Sequence, residues 1–180
     1  MPAQLEVLKA EMAKSQAGLL RAADAIPAEQ WRTSTKAGSW SAAELVAHLT
    51  MVERSVVAKA DRIAQKEPIP VSFLKRIHLP FALVKARIIK RQSPVPVDPQ
   101  MLRDKEEMLA GLREARERSL AFLEETHDRD LGGYYWRHPA LGMLNTYGWI
   151  RFLAAHEVRH TKQMLEIAAG LPKVIDNLQK

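Results

Sequence analysis

The chain has no cysteine, which excludes disulfides, thiolate metal ligands, cysteine-based zinc knuckles and a cysteine nucleophile. Any metal ion must be held by imidazole, carboxylate or water. Long apolar runs are missing as well: nowhere do about 18 uncharged apolar residues follow one another, as a membrane-spanning helix requires. The first residues, MPAQLEVLKAEMAK, carry acids and lack the apolar core of an export signal, so a cytoplasmic protein without an anchor is expected. No segment keeps a two-residue apolar alternation beside turn chemistry, so no strand is expected, and no internal repeat is evident.

Acidic residues are absent from one long stretch. Between Val71 and Val97 lie Lys75, Arg76, Lys85, Arg87, Lys90 and Arg91 with no acid, and these six account for the whole formal charge of +6. The remainder is formally neutral, so the basic character is local and nucleic acid is not an expected partner.

What is present is ordinary globular material. At 180 residues, 47% hydrophobic and 27% charged, the chain suits one core, read as a single domain over 1–180. The pattern predicts an all-α protein, a four-helix bundle of antiparallel type with an insert between its second and third helices. The first helix runs from about Ala3 to Ala25, with Leu5, Leu8, Met12 and Leu19 at mostly helical spacing, and stops before Pro27. Ser41 with Glu44 three residues later forms a capping box, and Leu45, Leu49, Val52 and Val56 follow on one face. Pro68 and Pro70 close that region. The insert, Phe73 to Gln92, mixes apolar residues with the six cations like a basic amphipathic helix interrupted at Pro80; a cap or dimer segment with snorkelling cations is favoured over a membrane-surface or acidic-partner role. A third helix is predicted from about Pro99 to Thr126. Asp128 to Leu144 is read as a loop, and the last helix as about Leu144 to Ala169, ended by Gly170 and Pro172.

Three histidines carry the chemistry. His156 and His160 are spaced i, i+4, so both imidazoles leave one helix face about a turn apart and can share a metal ion. His48 lies roughly two turns into the second helix. If that helix packs against the last, three neutral nitrogens converge and leave coordination positions for water or substrate. An i, i+4 pair also arises as a structural or surface feature. Here Trp149, Ile150, Phe152, Leu153, Met164 and Leu165 around the pair, and Leu45, Leu49, Met51 and Val52 around His48, favour burial, where an imidazole needs a partner.

The segments W-S-x-x-E-x-x-x-H-L (Trp40 to Leu49), H-P-x-x-G (His138 to Gly142) and H-E-x-R-H-x-x-Q (His156 to Gln163) resemble the DinB-like (YfiT-type) superfamily over nearly the whole chain. The resemblance implies a four-helix bundle, often dimeric, with a divalent metal such as zinc or nickel on His48, His156 and His160. Characterised branches of that superfamily include thiol-dependent transferases and isomerases, and other members are described as metal-dependent hydrolases. The expected partners are thus a small-molecule substrate, a low-molecular-weight thiol among the candidates, and a second copy of the chain.

Other residues are expected to play lesser parts. Glu44 lies one turn before His48 but has its capping role; Arg159 is a candidate grip for an anionic substrate; Gln163 is placed to orient a ligand. His138 is expected to shape its loop, and His78 and His127 to be ordinary surface or insert residues. Tyr134, Tyr135, Trp136, Tyr147 and Trp149 are core or pocket lining. Three functions remain open: a metal-dependent enzyme, whether hydrolase or thiol transferase; a metal- or ligand-binding bundle without turnover; and a basic docking module acting through the insert.

Overall fold

A computed structural model describes residues 2–68, 70–72, 80–86 and 97–172. Four long helices form the body: α1 (Pro2–Asp24), α2 (Ala42–Ala64), α4 (Lys105–Glu125) and α5 (Thr146–Gly170), with a short α3 (Phe81–Ala86) and a hairpin of β1 (Tyr135–His138) and β2 (Gly142–Asn145). The mostly helical bundle matches the expected class.

The capping box at the head of α2 is complete. The Glu44 N–H donates to Ser41 Oγ at 3.3 Å, and the Ser41 N–H donates to Glu44 Oε2 at 2.8 Å. Such caps contribute about 1 kcal/mol, and this one fixes where α2 begins, hence where His48 falls. The third predicted helix starts later than expected. Pro99–Met101 is a separate 3-10 turn, and α4 begins after Asp104, whose side chain accepts from the Glu107 N–H.

The apolar core lies in two parts along the bundle. One joins Leu5, Leu8 and Met12 of α1 to Val56 and Val57 of α2, Phe122 and Leu123 of α4, and Ile150 and Leu153 of α5. The other joins Leu19 and Ile26 to Leu45 and Leu49, Leu112, and Met164 and Ile167. The order in which each helix visits the two clusters gives its direction: α1 and α5 run one way, α2 and α4 the other. Successive helices α1 and α2, like α4 and α5, are antiparallel as expected, but α2 and α4 are parallel neighbours. Parallel neighbours require the chain to return along the bundle before the second begins, and residues 65–104 connect the two.

Between the clusters sits a buried polar layer drawn from all four helices. Arg116 of α4 donates through Nε and Nη2 to the Glu53 carboxylate of α2 at 2.7 and 3.1 Å and through Nη2 to Glu157 Oε2 of α5 at 3.0 Å. Its Nη1 donates to the Met12 carbonyl of α1, Ser15 Oγ donates to Glu157, and Ser119 Oγ donates to Glu53. Burial alone would lower the Arg116 guanidinium, and the two carboxylates more than offset it. Burial raises Glu157 despite Arg116. This network holds the helices in register at the level of the histidines.

The hairpin corrects the reading of 128–144 as a loop without strands. Tyr135 pairs with Asn145, Trp136 with Leu144, Arg137 with Met143 and His138 with Gly142. Four-residue strands are too short for alternation to stand out, and tertiary packing decides them: Trp136 stacks on Trp149 of α5 at 5.0 Å, and its carbonyl accepts from Trp149 Nε1 at 3.2 Å. Gly142 takes φ +91° at the turn, a conformation that side chains disfavour. Of the insert, α3 rests on the bundle through Phe81 and Val84, with Lys85 exposed. Lys75, Arg76, His78, Arg87, Lys90 and Arg91 lie outside the described residues.

Candidate metal centre

The crossing of α2 and α5 brings His48, His156 and His160 together, with one ring nitrogen from each lying within 4.8 Å of the others. His156 is central: its Nε2 lies 3.4 Å from Nε2 of His48 and 3.1 Å from Nε2 of His160. His48 and His160 are buried, and His156 is partly exposed as a residue while its ring is held inside the bundle.

Gln163 fixes the protonation of one member. Its Oε1 accepts from His160 Nδ1 at 2.9 Å, so the proton of neutral His160 sits on Nδ1 and its Nε2 offers a lone pair inward. That is the orienting role expected for Gln163. A single proton on His156 Nε2 can serve only one of its two neighbours, so one of these close contacts is left without a hydrogen bond. Adding protons is not a remedy. Burial pushes His48 down to about 4, and burial, followed by the charges of His160, His48, Arg159 and His138, holds His156 well below the ordinary histidine range. Three neutral imidazoles with converging lone pairs fit a divalent cation of borderline softness.

Aromatic rings wall the cluster. Trp40, from the turn before α2, lies 4.9 Å from the His48 ring and 6.2 Å from that of His160; Phe152 stacks on His156 at 5.1 Å. Trp149 and Trp136 extend this wall along α5 and the hairpin. Tyr147 turns elsewhere, its hydroxyl accepting from the Leu131 N–H at 3.1 Å. Trp40 was legible only as part of a motif, because its contact with two histidines depends on how α2 crosses α5.

The other candidates divide clearly. Glu44 Oε2 holds the Ser41 N–H and hydroxyl, and Glu44 is not among the converging groups. Arg159 is partly buried and close enough for its charge to depress His156. Glu157, next to His156 in sequence, faces Arg116 instead. His138 shapes the hairpin turn as expected, its Nδ1 accepting from the N–H groups of Ala140 and Leu141 at 3.0 and 3.1 Å. Its ring also packs on Trp149 and Phe152 at 5.0 and 4.5 Å. His127 is exposed and bonded to the Glu124 carbonyl. Sequence reasoning missed Arg116 and Glu53. Their signal was positional, since Arg116 and Ser119 continue the stripe of Leu109, Leu112 and Leu123.

The bundle, with three inward histidines from its second and last long helices, is a helical domain whose histidine cluster could hold a metal ion. The model of the DinB superfamily matches residues 11–164, and the chain belongs to that superfamily. No curated protein and no solved structure matched it.

Proposed function

We propose that this protein is a metal-dependent enzyme in which His48, His156 and His160 bind one divalent ion, zinc or nickel, for nucleophilic chemistry on a small molecule. The observation that carries this reading is the convergence of the His48 and His160 Nε2 atoms on that of His156, at 3.4 and 3.1 Å, where one proton on His156 can satisfy only one of the two contacts. When bound, such an ion supplies positive charge that lowers the pKa of a nucleophile such as water or a thiol.

The chain's own residues set the rest. His160 is held in one tautomer by Gln163. Trp40 and Phe152 exclude water from two sides. The adjacent carboxylates are committed elsewhere, Glu44 to the α2 cap and Glu157 to Arg116 and Ser15, which leaves neither placed as a general base. That favours a nucleophile able to lose its proton under the influence of the ion alone. With no cysteine in the chain, a sulfur nucleophile would come from a low-molecular-weight thiol.

Elemental analysis of untagged protein beside His156→Ala tests the reading. One tightly held divalent metal per chain, absent from the variant, is expected, followed by turnover in a panel of esters and amides or of thiols with electrophiles. Wild-type protein that takes up neither zinc nor nickel refutes the metal centre. Metal uptake without turnover leaves a metal-binding bundle and refutes the enzymatic part.

A further inference from the structure

His138 does more than its turn requires. Both of its Nδ1 partners are backbone N–H groups, those of Ala140 and Leu141, and a backbone N–H only donates. Nδ1 is therefore an acceptor, and the proton of the neutral ring sits on Nε2. No hydrogen bond to this Nε2 is found among the described residues. A turn acceptor could be supplied by asparagine or aspartate; an imidazole adds a ring seated on Trp149 and Phe152 and an N–H fixed on its far side.

The position of that ring matters. His138 and His156 pack against the same Phe152 ring, at 4.5 and 5.1 Å. His138 is also near enough to His156 for its charge to bear on that ring, so the hairpin and Phe152 stand beside the three-histidine cluster. Arg159 brings positive charge to the same neighbourhood.

We propose that His138 is a substrate-positioning residue whose Nε2–H donates to an anionic oxygen, such as that of a carboxylate or hydroxamate, on a small molecule held at the three-histidine site. The proposal rests on the metal reading above. A hydrogen bond to a charged oxygen contributes about 1.5 kcal/mol or more, about tenfold in affinity. The turn and the donor are carried by different nitrogens, and His138→Asn separates them, because the asparagine Oδ1 can still accept from the turn while the distal N–H is lost.

Cobalt-loaded wild type and His138→Asn would be titrated with acetohydroxamate, read by the visible cobalt bands. The expected result is equal cobalt stoichiometry, with binding about tenfold weaker in the variant. Equal affinity in both overturns the proposal while leaving the metal centre standing, whereas failure of the wild type to take up cobalt removes both. Histidine nitrogen NMR on zinc-loaded wild type gives a second measure that needs no variant. The Nε2–H tautomer is expected for His138, with its Nε2–H signal displaced when acetohydroxamate is added. An Nδ1–H tautomer, or a signal indifferent to the ligand, overturns the assignment.

Discussion

Acid should unfold the metal-free protein through its own histidines. His48 is held down to about 4 by burial, against an ordinary 6.5, so between these values the unfolded chain binds a proton that the folded one refuses. Stability therefore rises with pH through this window, is fully present above 6.5, and is lost as pH falls. For this residue alone the loss relative to pH 7 is about 2 kcal/mol at pH 5 and about 3 kcal/mol at pH 4. His138 is likewise lowered to about 4 by burial, and His156 is lowered further still. The sum is a large part of the roughly 5–15 kcal/mol that holds a domain folded. Urea denaturation of wild type and His48→Leu, both with chelator present, at pH 7, 6 and 5 would measure it. The variant should lose about 2 kcal/mol less than wild type between pH 7 and 5, whatever its starting stability. Unfolding free energies that fall in parallel for the two proteins would refute the reasoning, since His48 would then be protonated as easily in the fold as out of it.

Two further outcomes follow from the same geometry. Gln163→Leu removes the acceptor that holds His160 Nδ1 and should weaken zinc binding by about 10–100-fold without changing its stoichiometry, as measured by competition with a chromogenic chelator. Arg116→Met leaves Glu53 and Glu157 buried without their cation and should cost about 3–5 kcal/mol at pH 7, with the deficit shrinking toward pH 4 as Glu157, already raised by burial, takes up a proton; chemical denaturation at both pH values checks it.

The sequence alone determined the local events. The Ser41 and Glu44 capping box, the prolines at 27, 68 and 70, and the Gly170 terminus are decided by neighbours within a few residues, so the long helices and the i, i+4 pair of His156 and His160 could be read directly. The absence of cysteine by itself restricts any metal site to imidazole, carboxylate or water. The motifs were enough to suggest the superfamily.

Tertiary structure decided everything that depends on one helix meeting another. His48 approaches His156 because α2 crosses α5, and Trp40 reaches both His48 and His160 for the same reason. Arg116 looks in sequence like Arg113 or Arg118, and only the closing of all four helices puts it between two buried carboxylates. The hairpin exists because Trp136 finds Trp149 across the chain, an interaction that four-residue strands do not announce. Local chemistry is written in short stretches of sequence, whereas a converging site is a matter of relative position, and position is set by the packing of whole elements.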